Sequence, residues 1–483
     1  MLYIQGTDRN QLTLEPMCLD DCIAEDSICR VIDAYVRSLD LRSLDFTHTV
    51  EKATGRPSFN PANMLMLYIY GYMNRVRSSR RLEAETHRNV EVMWLMECLT
   101  PDDRTICNFR KDNAAALKRL FREFSLWCSE HGLYGKKLIA VDGTKTRANT
   151  SRRNIHNEEI TKKRLASIEK KIIEYMSELE ENDVIESAEP RLSREAITAM
   201  LEKLNERKST LEERLKLIAE SEDGIVSTVD PDARIMHQGG DGRILDACYN
   251  VQTVADDKHN LIVDFDVTTC ADDKGALPQM TERAKEIMGV DEIAVAADKG
   301  YYDGEDIAEC ERNNTTCYVP KTAQRKTAPD ADYNRENFRY DSENDCYICP
   351  DGVVLYFKKI CEIKGDFYKL YENPTACADC QNRSKCTKIR KGRKFFRSIN
   401  RDFLDTIDAR MLTDEAREIY SQRQRIIEHP FGTTKKIWGF NQFLCRTKEK
   451  VTAEQSLVFL AYNLRRVINI FKGNGENLLG VMA

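Results

Sequence analysis

At 483 residues, with 41% hydrophobic and 31% charged side chains, the chain has length and apolar content for two to four globular domains. No apolar run approaches the ~20 residues a membrane helix needs, which excludes a membrane-spanning helix. The formal net charge of −6 argues, as a total, against a nucleic-acid partner, yet local charge is what meets phosphate, and here it is patterned. The N-terminus, Met1 to Gly6, lacks the basic and apolar regions of a secretory signal, so a cytoplasmic protein without a membrane partner is expected.

Residues 1–130 read as an all-helical domain. Pro61 opens a run with an apolar face, Met64 to Tyr70, and a turn near Arg77 precedes a second helix carrying Arg80, Arg81 and Glu83. Thr100-Pro101-Asp102-Asp103 is a helix-start signal, with Thr100 expected at the cap, and Arg110, Lys111, Lys118, Arg119 and Arg122 follow. Short helices, turns and clustered arginines suit a helix-turn-helix type of DNA-end-binding module.

The next segment, Lys136 to Lys145, is a short apolar run ending in Asp142-Gly143, the pattern of a buried strand that delivers a carboxylate to the sheet edge. A charged helical stretch over 154–223 interrupts it. Leu165, Ile168, Ile172, Met176 and Leu179, and then Ile197, Leu201, Leu204, Leu211, Leu215 and Ile218, recur at helical spacing on either side of Glu189-Pro190. An antiparallel helical hairpin inserted into the domain is expected. The sheet resumes with a hairpin, Ala247–Val254 and Leu261–Val267, then a helix from about Lys274 to Met288. Asp264, Asp266, Asp272 and Asp273 fall on that hairpin strand or in the loop after it and read as structural. Glu292 to Asp298 repeats the strand-end aspartate design, ahead of Tyr301.

Six of the 17 cysteines cluster between Cys346 and Cys386. Two Cys-x-x-Cys pairs, Cys346/Cys349 and Cys377/Cys380, stand 27 residues apart and can present four thiolates to a structural Zn²⁺. Spacing alone favours Cys346 with Cys349. From Arg383 to Arg397 there are eight basic residues and no acidic one, with Phe395 and Phe396 interleaved, a stretch suited to DNA phosphates. No glycine interrupts Met411 to Phe431, which reads as a helix with Ile426 and Ile427 on its apolar back. Arg425 and Lys435 fall near the face of Glu428, and Arg423 lies off it.

Val141-Asp142-Gly143-Thr144, Ala297-Asp298-Lys299-Gly300-Tyr301, and the Tyr-Arg-Glu-Lys signature Tyr420, Arg423, Glu428 and Lys435 together resemble insertion-sequence transposases of the DDE class. Ser78 to Glu83 and Ala461 to Arg466 extend the resemblance over nearly the whole chain. It implies an RNase H-like α/β catalytic core over 131–153, 224–320 and 400–475, with an all-α N-terminal domain (1–130), the helical hairpin (154–223) and a Cys-rich, zinc-ribbon-like basic insertion (321–399). The catalytic carboxylates would be Asp142, Asp298 and Glu428, holding two Mg²⁺ ions, or Mn²⁺, for phosphodiester hydrolysis and transesterification. Lys145, Arg423, Arg425, Lys435, Lys436, Tyr301, Arg80 and Arg81 would contact DNA, with Tyr301 against the cleaved end. Relatives with cysteines favour Cys349, Cys377, Cys380 and Cys386 as the zinc set. Partners would be double-stranded DNA, as terminal inverted repeats and target, and a second copy of the chain. A catalytically inactive repressor is the alternative. A tyrosine recombinase is disfavoured because no histidine is followed by arginine at the third position.

Overall fold

The computed structural model describes residues 18–50, 57–184, 194–221, 224–238, 244–322, 328–363, 366–476 and 478–482. The Met1–Gly6 segment and the Glu189-Pro190 break lie outside them. Contacts divide the chain into two units. The first gathers 1–124, 433–440 and 449–483; the second gathers 125–432 and 441–448.

The first unit is helical. Helix Pro61–Met73 starts with proline at its first turn, Asn60 Oδ1 accepts from Ala62 N, and all but one of its residues are buried. A helix apolar all round needs cover on every side. The helices Ile28–Ser38, Ser79–Thr86, Val90–Leu95 and Asp103–Asp112 supply part of it. Asp102, not Thr100, caps the last of these, accepting from Thr105 N at 2.7 Å. The carboxylate reaches the third backbone N–H, and a cap at Thr100 would have put the proline where Asp102 turns the chain. Helix Lys448–Asn474 belongs to this unit almost entirely, where the sequence reading ran the catalytic domain to residue 475. Its buried residues run from Val451 to Phe471. The wholly buried Glu454 pairs with Arg77 at 3.7 Å, and Arg465 Nη1 donates to Met73 O. Arg110 is buried too, donating to the Tyr72 hydroxyl at 2.9 Å, so it is spent on packing rather than offered to DNA.

The second unit is built on a mixed sheet. Its central strand, Leu138–Arg147, pairs antiparallel with Ile244–Asp256 on one side and parallel with Ile293–Ala297 on the other. The latter pairs parallel with Thr315–Tyr318, and Ile262–Thr268 lies antiparallel to Ile244–Asp256. Two antiparallel neighbours, a central strand and two parallel neighbours fit an RNase H-like core. Ile139, Ala140, Val141, Val295, Ala296 and Ala297 have no exposed surface, as strands covered on both faces require. The Asp142 strand does not end at its aspartate: antiparallel pairing continues to Arg147 opposite Cys248. Only the parallel partner stops, at Val141 opposite Ala297.

Helix Asp414–Phe431 begins three residues later than the glycine-free run suggests, because Thr413 caps it by accepting from Ala416 N. Ile426 and Ile427 are fully buried against Leu138, Ala140, Ala255 and Ala296. The inserted helices Glu158–Val184 and Arg194–Glu220 pack against each other, closed at their base by the strand pair Ile155–Asn157 and Ile225–Ser227. Ile197, Leu204, Leu211 and Ile218 are buried there, whereas Met176 on the opposing stripe is 52% exposed. The Cys-rich segment forms its own five-stranded antiparallel sheet around Phe338, Tyr347, Leu355, Tyr371 and Phe395. It is therefore more than a ribbon, with an aromatic core of its own. No helix among the described residues is long and apolar enough to cross a membrane.

Candidate active site

Backbone pairing places the two aspartates. Val141 and Ala297 are the last partners of the parallel pair, so Asp142 and Asp298 are the first residues past it on adjacent strands. Each carboxylate accepts from the backbone of a following glycine. Gly143 N donates to Asp142 Oδ1 at 2.8 Å, and Gly300 N donates to Asp298 Oδ1 at 2.7 Å, fixing both carboxylates before any ligand arrives.

Burial pushes the Asp142 carboxyl up to about 6. Arg423 draws it down, and the neighbouring Asp298 charge raises it again. Arg423 Nη1 meets Asp142 Oδ2 at 3.2 Å, with both side chains largely covered. Burial works against the guanidinium charge, and Asp142, Tyr420 and Asp298 more than offset it. Of Arg423 and Arg425, one stands at the aspartates. Arg423 does, whereas Arg425 is exposed and reaches Gln422 Oε1 and the Asp257 carbonyl at 3.5 Å. Glu428 is exposed on the same helix and accepts from Gln424 Nε2 at 2.9 Å. The structure brings Asp142, Asp298 and Arg423 together and leaves Glu428 in the open. Among the described residues, no group of three His, Cys, Asp or Glu side chains is arranged to hold a metal ion.

The remaining residues fall as follows. Lys145 Nζ pairs with Asp273 at 3.3 Å. Tyr301, expected against the cleaved DNA end, is instead fully buried, its hydroxyl donating to Gln252 Oε1. Buried in this way, it offers no surface to a DNA end. Arg80 is exposed and pairs with Asp103 at 3.2 Å, and Arg81 is exposed beside it. Lys435 is half-buried and Lys436 exposed in the π-helical turn Gly432–Ile437. Of the basic run, Arg397 is buried over Tyr340 and paired with Asp402, Arg393 lies over Phe338 and Phe395, and Lys394 pairs with Glu372. Lys385, Lys388, Arg390 and Lys391 are the exposed ones.

Two donor sets bear on metal ions. At the aspartates, two hard carboxylates stand on adjacent strands, whereas Asn250, with no exposed surface and its Oδ1 without a hydrogen-bond partner, lies at Gly143, on the face of the strand opposite Asp142. Paired carboxylate oxygens are the hard donor type that Mg²⁺ or Mn²⁺ takes. In the Cys-rich lobe, Cys349, Cys377, Cys380 and Cys386 line one apolar cavity of about 30 Å³. Burial pushes the Cys386 thiol up to about 11, with Arg393 opposing and the other three sulfurs adding. Cys346 is instead buried in the strand Cys346–Ile348, opposite Tyr356 and Asp341. Four sulfurs are the soft donor type that Zn²⁺ takes, although they are not arranged here to hold an ion.

Sequence reasoning missed Asp273, which it read as structural, and its partners Asn250 and Gln252. Both amides sit two residues apart on strand Ile244–Asp256, opposite Lys145 and Gly143, so alternation puts them on one face. That register was the signal available.

Residues 348–468 match the family model described as Transposase DDE domain, and residues 17–112 match the one described as Transposase domain (DUF772). No curated protein and no solved structure matches.

Because the folded Asp142 carboxyl lies above its ordinary value, the native protein holds more protons than the unfolded chain between about pH 4 and 6. This group's contribution to stability is complete below that window and is lost as pH rises through it. A cation held by Asp142 would displace the same proton. Mn²⁺ affinity is therefore expected to rise by about tenfold per pH unit up to about 6 and then level off. Calorimetric titration of the DNA-free protein from pH 5 to 7.5 measures it; a flat profile contradicts the assignment.

Proposed function

Because this chain is a transposase of the DDE class, we propose that it binds the terminal inverted repeats of a mobile element, cuts there, and joins the freed ends to target DNA. The observation that carries this reading is the pair Asp142 and Asp298, side by side with Arg423 on Asp142.

Asp142, Asp298 and Glu428 would hold two Mg²⁺ or Mn²⁺ ions, which supply charge neutralisation at the attacking and leaving oxygens. The two aspartates, each accepting from a glycine N–H, give the site its geometry. In the first step a water oxygen bonds to phosphorus while the P–O3′ bond breaks, freeing a 3′-hydroxyl on the element end. In the second, that hydroxyl oxygen bonds to a target phosphorus, the target P–O3′ bond breaks, and the proton passes to the leaving oxygen. No covalent enzyme intermediate is needed. Arg423 offsets carboxylate charge at the point where a phosphate must approach. Arg425, Lys435, Lys436 and the exposed Lys385, Lys388, Arg390 and Lys391 provide phosphate contacts, as do Arg80 and Arg81 on the N-terminal helices. A homodimer on paired ends is part of the same reading.

Asp142→Asn, Asp298→Asn and Glu428→Gln are each expected to abolish Mg²⁺-dependent cleavage and joining, while end binding survives. The assay uses duplexes taken from the inverted repeats that flank the reading frame. Wild-type protein that binds these ends and cuts none of them with any divalent ion is the inactive repressor.

We further propose that Cys349, Cys377, Cys380 and Cys386 hold one structural Zn²⁺ per chain. Elemental analysis of freshly purified, reduced protein is expected to find it, and Cys377→Ser with Cys380→Ser to release it. Protein purified without zinc contradicts the site.

A further inference from the structure

Asp273 lies in the loop between strand Ile262–Thr268 and helix Ala276–Met288, far along the chain from Asp142. Its carboxylate nevertheless touches both aspartate turns. A Cβ on Gly143 would lie 2.5 Å from Asp273 Oδ1, and a Cβ on Gly300 would lie 3.4 Å from Asp273 Oδ2 and 2.8 Å from Asp298 Oδ1. One carboxylate thus spans the two glycines that follow Asp142 and lie two residues after Asp298. Neither glycine has a positive φ. Gly143 is therefore required by the closeness of Asp273 rather than by backbone strain.

Three donors converge on Asp273 Oδ1: Gln252 Nε2 at 2.6 Å, Asn250 Nδ2 at 2.8 Å and Lys145 Nζ at 3.3 Å. Gln252 in turn accepts from the buried Tyr301 hydroxyl, three residues past Asp298. The loop closes on itself: Asp298 turn, Tyr301, Gln252, Asp273, and back to Gly300. Asn250 Oδ1, buried and without a hydrogen-bond partner, lies 3.0 Å from the same Gly143 position. A charged hub with three donors at the meeting point of two catalytic turns is costly to assemble as mere packing, since each donor is withdrawn from water.

We infer that Asp273 is a positioning residue of the catalytic site. Its carboxylate fixes the separation of Asp142 and Asp298 by bracing Gly143 and Gly300, and Lys145 balances its charge. The inference rests on the reading of Asp142 and Asp298 as the ion-holding pair.

The test is Mn²⁺ binding to the full-length, DNA-free protein by calorimetry, with circular dichroism to confirm folding. Asp273→Ala is expected to weaken Mn²⁺ binding by about 10- to 100-fold, the range for residues that orient metal ligands, and to raise the Mg²⁺ needed for half-maximal cleavage by the same factor. Asp273→Asn keeps the volume and the Oδ1 acceptor and is expected to recover most of the loss. Gly143→Ala, which displaces Asp273 without opening a cavity, is expected to reproduce the defect if Asp273→Ala does not fold. Unchanged affinity in Asp273→Ala or Gly143→Ala overturns the inference, and Asp273→Asn as impaired as Asp273→Ala overturns the positioning role in favour of a direct ligand. Wild-type affinity in Asp142→Asn as well overturns the underlying reading of the site, and the inference with it.

Discussion

The site depends on one register, the parallel pairing of Leu138–Val141 with Ala294–Ala297. It ends on both strands at once, so two chain-distant aspartates emerge as neighbours at the point where the strands separate. A shift of one residue would turn one of the two carboxylates to the opposite face of the sheet. What holds the register is burial on both faces. Ile426 and Ile427 cover Ala140 and Ala296 from the helix side, and small residues at those positions let the helix approach closely. The packing that secures the strands therefore also brings Arg423, one turn earlier, onto Asp142.

Electrostatics follow from that packing. Two carboxylates at adjacent strand ends repel, and burial of one raises the cost of its charge. Arg423 offsets part of it from one side, while Lys145, Asn250 and Gln252 direct their donors to the adjacent Asp273. A site built this way carries close negative charge and gains most from a cation, which is the property a phosphodiester-cleaving centre needs.

Much of this was legible in the chain. Short apolar runs ending in an aspartate located both aspartate strands, and apolar spacing located the inserted helices and Ile426 and Ile427. What was hidden depended on long-range packing. Helix Lys448–Asn474 is buried from Ala453 to Leu464, Glu454, Gln455 and Asn463 included, so its spacing gives no hint of which unit covers it, and it lies with the N-terminal helices. Tyr301 sits in a loop-like context yet is fully buried, because its hydroxyl finds Gln252 across the sheet. Asp273 looked like an ordinary acid ahead of a helix; only the register of a strand twenty residues earlier gives it partners. The basic run from Arg383 to Arg397 advertised a charged surface, while Arg397 and Arg393 are engaged with aromatic rings of the lobe's own core.

The central claim is that Glu428, exposed here, completes a carboxylate site with Asp142 and Asp298. The most direct measurement is a structure of the protein on its terminal-repeat DNA with Mn²⁺, located by its anomalous scattering. The account predicts Mn²⁺ between Asp142 and Asp298, with the Glu428 carboxylate within about 8 Å of both, as shared ions a few ångströms apart demand. Mn²⁺ bound there with Glu428 still turned to solvent, or with another acid as the third ligand, would contradict it.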